Sequence, residues 1–180
     1  RPYTEIENAV GKLSGRKKML IDPERLSYAL YKLIPDETEM IEKENPEIIM
    51  KSVKNDIETE HIRRAHLKDA AAHTKFIYWL KENIGKTEIT ERSASARLEE
   101  FRKEQDGYLG PSFEPISAYY EHGAIVHYSA SKESDARLEK GHFLLTDTGG
   151  HYKDGSTDIT RTVALGEVSY QEKEDFTLVL

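Results

Sequence analysis

The chain has 180 residues, of which 37% are apolar and 33% charged, with a net charge of −7 and no cysteine. That length holds one domain or two small ones, with a core that needs no covalent staples. The missing cysteines exclude disulfides, thiolate metal sites and a cysteine nucleophile, and the acidic balance argues against a nucleic-acid partner, which calls for clustered Lys and Arg.

In chain order, the first stretch reads as α/β. Lys17 to Asp22 predicts a short strand, and the densest basic run, Gly15 to Leu20, reads as its flank. Asp22, Pro23 and Glu24 stand in the order of an N-cap, a first helical position and an acidic first turn. Leu26, Ala29, Leu30, Leu33 and Ile34 then fall on one helical face, and Pro35 ends it. Thr38 to Glu42 predicts a second strand, and Asn45-Pro46 opens a short helix. Around Asn55 the pattern changes to a long helix in which Ile62, Ala65, Ala72, Phe76, Leu80 and Ile84 keep the helical period and Gly85 supplies the C-cap. The alternating charges along it read as a solvated face. Asp69 interrupts the apolar stripe and reads as a carboxylate at its edge, and Trp79 as core. A second helix runs from N-cap Thr90 to about Gln105. A domain boundary is expected near Lys54.

From Ser112 the period becomes strand-like. Ser112 to Tyr120 and Gly123 to Ser129 are β-rich, and a polar connector leads to "HFLLTDTGGHYKDGSTDITRTVALG". No apolar run approaches the ~20 residues of a membrane helix, and no signal peptide is visible in a chain that starts at Arg1. Ser169 and Glu172 form a capping box for a last helix. That helix stops on Leu178, Val179 and Leu180, so the chain is expected to be a fragment cut inside a larger domain.

The hairpin carries three aspartates, Asp147, Asp154 and Asp158. The Asp-Thr-Gly at Asp147 suits an aspartic protease only with a second copy, which the chain lacks. A calcium loop needs alternating oxygen ligands and a glutamate at its twelfth position, and here Gly149, His151 and Asp158 stand where those should be. Asp154-Gly155 is a strong two-residue hairpin signal. A turn there places His151 opposite Asp158, with Asp147 and Asp158 on one face but ~13 Å apart along the strand. A wider loop brings the two opposite each other without changing faces, whereas a single-residue bulge breaks that parity. Two carboxylates on one face suit a hard or borderline divalent cation, though alone they are too few. The segment by itself also fits a solvated polar hairpin.

"TDTGGHYKDGSTDITRTVALG" closely resembles the metal-binding hairpin of Xaa-Pro aminopeptidases (aminopeptidase P) in the pita-bread metallopeptidase superfamily. "GAIVHYSA", "RRAHLKDAAAH" and "ARLEEFRKEQ" resemble other stretches of the same enzymes, in the same order. The likeness covers nearly all of the chain and is strongest to the three-domain cytosolic type. It implies an α+β fold: residues 1–53 as the end of an α/β creatinase-like middle domain, and residues 54–180 as the first part of a pita-bread catalytic domain. It implies that Asp147 and Asp158 are two metal ligands of a dinuclear site, usually Mn²⁺ in this branch. His127 corresponds to a histidine that binds substrate and stabilises the tetrahedral intermediate. The other six histidines match no role.

The implied substrate is a peptide with proline in second position, the implied setting a cytoplasmic homodimer, with no nucleic-acid or membrane partner. The family's remaining ligands, a His and two Glu, lie downstream of the hairpin, so the fragment alone is expected to be inactive with at most weak metal affinity. Tyr120-Glu121-His122 departs from the Gly-Pro-Asn often found before the "GAIVHY" stretch. The rival expectations are a non-catalytic peptide-binding relative, or a sibling enzyme: a Pro-dipeptidase, a creatinase or, less consistent with residues before Lys54, a methionine aminopeptidase.

Overall fold

Residues 1–55 and residues 56–180 form two separate units, and the computed structural model describes residues 2–13 and 18–180. In the first unit, β1 (Lys18–Ile21) and β2 (Glu39–Glu42) pair in parallel, with Lys18 opposite Glu39. A salt bridge of 3.0 Å joins those two side chains. Lys17 and the rest of the basic run before it lie outside the described residues. A short helix, α1, covers Ile6–Gly11.

The helix expected from Asp22 to Pro35 is shorter than its apolar face suggests. Asp22 caps a single turn, accepting from the Glu24 N–H at 3.2 Å, while its other oxygen accepts from the Asn45 N–H at 2.9 Å. Ser27 is extended and restarts the helix, so α2 covers only Tyr28–Tyr31. Asp22 is thus shared between a turn and the loop after β2, and does not start a long helix. Asn45 and Pro46 open α3 (Pro46–Ser52) as their order predicts, the Asn45 side chain accepting from Glu47 N–H.

The second unit is built on two helices, α4 (Asp56–Asn83) and α5 (Glu91–Lys103). Gly85 ends the first in a left-handed conformation at φ 76°, which only glycine adopts freely. Thr90 caps the second by accepting from Ser93 N–H. Phe76, Leu80, Leu98, Leu144, Val163 and Leu165 form one buried cluster, with Trp79 packed against it. Each such side chain contributes about 1.5–3 kcal/mol when fully buried. The helices cover one face of an antiparallel sheet in the order β4 (Ile116–Tyr119), β5 (Phe143–Thr148), β8 (Ile159–Ala164). The hairpin beyond β5 and β8 continues as β6 (Gly150–Tyr152) and β7 (Gly155–Ser156), with β3 (Tyr108–Pro111) along its edge. Helix α6 (Tyr170–Val179) follows, opened by the Ser169–Glu172 capping box. Among the described residues no helix is long and apolar enough to cross a membrane.

Two further sequence expectations are corrected. Gly123 to Ser129 is not a strand: Tyr120–Ala124 is a 3₁₀ helix and a turn follows, with Tyr128 N–H bonded to Ile125 O at 3.2 Å. Asp69 is not at the edge of the α4 stripe but fully buried. Its Oδ1 accepts from Arg102 Nε at 2.6 Å and from the Tyr152 hydroxyl at 3.2 Å. Its Oδ2 accepts from Arg102 Nη2 at 3.2 Å and from the Thr157 hydroxyl. Arg102 Nη2 also donates to Thr148 Oγ1 at 2.9 Å. One ion pair between the helices therefore reaches both strands of the hairpin. Burial, with the adjacent Asp69 carboxylate adding, pushes the Tyr152 hydroxyl well above its usual range, so it stays a donor.

Removing one partner of a dry ion pair strands the other charge. Asp69→Ala is expected to destabilise the chain by about 3–5 kcal/mol in urea unfolding, a loss of the size seen when one member of a buried pair is deleted. A second prediction concerns His73, one turn further along α4, buried with both ring nitrogens lacking hydrogen-bond partners. Burial, reinforced by the Arg102 charge, lowers its pKa from 6.5 to about 4. The unfolded chain takes up that proton near pH 6.5 and the folded chain only near 4, so stability is lost as pH falls between those values and levels off below. His73→Leu is expected to flatten that part of the stability–pH curve, read as the difference from the unsubstituted chain.

Candidate metal centre

The position of the two outer aspartates follows from strand register. Asp147 sits on the central strand β5, flanked by Ile116 of β4 and Thr160 of β8. The β5–β8 ladder ends at Thr148 opposite Ile159. The same register resumes beyond a short break, with His151 opposite Ser156 and Tyr152 opposite Gly155. The tight turn is therefore Lys153-Asp154, not Asp154-Gly155, and the pairing falls between the two registers the sequence allows. Asp158, just before β8, lies two residues from Thr160 and so on the same face as Thr160 and Asp147. The two carboxylates are diagonal neighbours across the hairpin, a relation that puts Cα atoms about 7–8 Å apart in a regular ladder.

The break is built into the sequence. A Cβ on Gly149 would run into the Thr157 carbonyl oxygen and the Ser112 hydroxyl. Ser112 donates from its hydroxyl to Thr157 O at 2.8 Å and from its N–H to Gly149 O at 3.1 Å. Gly150 N–H donates to Thr157 Oγ1 at 2.9 Å. Asp154, which reads as turn chemistry, also docks the hairpin tip on α4 through Lys68 and Arg64. The Lys68 hydrogen bond holds its carboxyl below the usual range.

Asp147 and Asp158 lie on the face of the sheet opposite α4 and α5. Asp147 is half-buried, and its Oδ1 is buried with no hydrogen-bond partner, whereas Asp158 is exposed. A buried carboxylate oxygen without a donor is costly and calls for a cation or a proton. The donor set, two carboxylates on one face, fits a hard or borderline divalent ion such as Mg²⁺ or Mn²⁺. Among the described residues no group of three or more His, Cys, Asp or Glu could hold a metal ion, and two carboxylates alone are too few for a coordination sphere. A groove of about 760 Å³ opens on this face beside Thr160, lined by Phe143, Thr162, Phe176 and Val179.

His127 lies in the turn after the 3₁₀ helix. It is exposed, has φ 55°, and no hydrogen bond joins it to Asp147 or Asp158 among the described residues. Its loop is fixed from beneath by Glu91, a fully buried carboxylate at the start of α5. Glu91 Oε1 accepts from Tyr119 N–H at 2.7 Å and lies 2.8 Å from His122 Nδ1. Glu91 Oε2 accepts from the Tyr128 hydroxyl at 2.8 Å and from Ala136 N–H at 3.1 Å. Tyr128, next to His127, is thereby held in place. Burial, with Glu91 adding, raises its hydroxyl above the ordinary range. Sequence reasoning passes over Glu91 because an acidic residue after an N-cap is ordinary helix chemistry. Of the other histidines, His142 pairs with Glu172 at 2.9 Å and His151 with the Ser156 hydroxyl at 2.6 Å.

Residues 60–180 match metallopeptidase family M24, and residues 1–58 match the creatinase/prolidase N-terminal domain. The Xaa-Pro aminopeptidase 2 of Sus scrofa is 40% identical over 99% of this chain and 27% of its own length. The X-prolyl aminopeptidase of Caenorhabditis elegans, described as a cytosolic enzyme with a di-nuclear active site, superposes with a TM-score of 0.84 at 30% identity, over 95% of this chain and 29% of that one. The Xaa-Pro dipeptidase of Bacillus anthracis gives 0.73 at 27% identity, over 97% and 48%. The chain spans about a quarter of the length of the curated relatives it matches. The fold is α+β, a creatinase-like segment followed by a pita-bread segment, as the sequence predicts. The chain belongs to metallopeptidase family M24.

Proposed function

We infer that the chain carries two of the metal ligands, Asp147 and Asp158, of an aminopeptidase that removes the N-terminal residue from peptides with proline in second position. The observation that carries this reading is the unpartnered, buried Oδ1 of Asp147 on the face it shares with Asp158. The aminopeptidase relatives over nearly the whole chain support the substrate class, and the di-nuclear site of the Caenorhabditis elegans enzyme supports two ions. When bound, two divalent ions supply an acidified water and polarise the scissile carbonyl.

The chain's own residues do the rest. Asp147, on a central strand, gives a fixed carboxylate, and Asp158 gives a second from just before β8. The His127 imidazole donates to the oxygen on which negative charge develops, and the Glu91-anchored loop holds it for that task. Mn²⁺ as the ion, a cytoplasmic setting and a homodimer belong to the same proposal and rest on the family resemblance. With only two ligands among the described residues, the 180-residue chain by itself is expected to bind metal weakly and to cleave nothing.

In the full-length protein assayed on a Xaa-Pro tripeptide with Mn²⁺, Asp147→Asn and Asp158→Asn are each expected to lower kcat/KM by more than about 100-fold, beyond the range lost with an outer-sphere partner. Wild-type rates in either variant would remove these residues from the ligand set. Cleavage confined to dipeptides would assign the protein to the dipeptidase branch.

A further inference from the structure

We propose that the buried Asp69–Arg102 pair is a positioning device for the two aspartates, acting through Thr148 and Thr157. The inference rests on the assignment of Asp147 and Asp158 as ligands. Each threonine is the immediate chain neighbour of one of them: Thr148 follows Asp147 and Thr157 precedes Asp158. Strand alternation sends neighbouring side chains to opposite faces, so the threonines point towards the helices while the aspartates point away. Both threonines are almost fully buried. Thr148 accepts from Arg102 and Thr157 donates to Asp69. The two grips are joined to each other by the guanidinium–carboxylate fork, at 2.6 and 3.2 Å.

The device sits where the backbone is least able to fix the spacing. Regular pairing stops after Thr148 and Ile159, and the Thr157 hydroxyl takes over as acceptor for Gly150 N–H. Thr157 N–H to Gly150 O at 2.9 Å keeps the register across the break, which leaves local splay beside the aspartates to be fixed, and a metal site needs its ligands held within about 0.5 Å. A rigid fork bonded to both strands from behind removes that freedom. Stability alone gives no reason for a dry ion pair here, because well-packed apolar residues of the same volume often do as well or better. The geometry also selects Arg over Lys, since a single planar group donates to both Asp69 oxygens and to Thr148.

The test uses the full-length protein, stripped of metal and titrated with Mn²⁺ by calorimetry, alongside kcat and KM on a Xaa-Pro tripeptide. Thr148→Val cuts one grip and leaves the two bonds of the ion pair in place, whereas Thr157→Val cuts the other and also removes the acceptor of Gly150 N–H, so Thr148→Val is the cleaner variant. Each is expected to weaken Mn²⁺ binding about 10–100-fold, as loss of outer-sphere partners does, with kcat falling while KM changes little. Thr157→Ser restores the hydroxyl and is expected to restore the affinity. Arg102→Lys, which keeps the charge but loses the fork, gives a second route if a valine variant fails to fold, and its Mn²⁺ affinity should also fall. A purely structural role would lower the melting temperature and leave Mn²⁺ affinity below melting as in the wild type, and that result in the variants that fold overturns the proposal. Asp158→Asn separates the two levels: if it also binds Mn²⁺ normally, the ligand assignment has failed, and if it alone loses metal, only the positioning role has.

Discussion

A carboxylate and a guanidinium without access to water sit where the two long helices meet the hairpin. The hairpin that carries Asp147 and Asp158 is arranged around satisfying them. Asp69 uses both oxygens on four donors, and Arg102 spends its remaining reach on Thr148. An unsatisfied charge at this depth would cost several kcal/mol, a large share of a typical domain's stability. The helices and the hairpin are therefore committed to one relative placement, and the apolar cluster of Phe76, Leu80, Leu98 and Leu144 packs around that choice.

Glu91 applies the same logic to a different segment with different partners. Among the described residues no arginine pairs with it, and four groups from residues 119–136 converge on it. Beyond Tyr119 at the end of β4 and the short 3₁₀ helix, the segment they come from is irregular, and two of its residues, Tyr120 and His127, have left-handed backbones. Conformations of that kind persist only where the surroundings over-determine them. Two buried acids, one on each helix, thus organise the two stretches of chain that the sequence marks as functional.

Some of this was legible in the residues and some was not. That Asp147 and Asp158 share a face follows from a period of two and survives any register of the same parity. The register itself did not, because Asp154-Gly155 is a good local turn, whereas Asp154 is drawn to Lys68 and Arg64 on a helix far away in sequence. The β-rich composition of Gly123 to Ser129 misled for a similar reason: a buried acceptor outside the segment sets its shape. Asp69 did leave a signal, a charge inside an apolar stripe, and buried charges need partners. Its partner could not be named, since Arg102 stands 33 residues on, in the last turn of another helix where basic residues are commonplace. Long-range electrostatic pairing is what local pattern cannot see.

The interrupted hairpin has a consequence for how its length can vary. Because side chains alternate with a period of two, any change in the number of residues between Asp147 and Asp158 that keeps the strands extended acts in steps of parity. Adding or deleting one residue within either strand turns one carboxylate towards the helices and one threonine towards the open face, undoing both at once. Adding two at the Lys153-Asp154 tip lengthens the arm and leaves both faces as they were. The parity constraint falls on the strands and not on the tip, where one extra residue makes an ordinary three-residue loop, so the step from one aspartate to the other is a counting constraint as much as a chemical one.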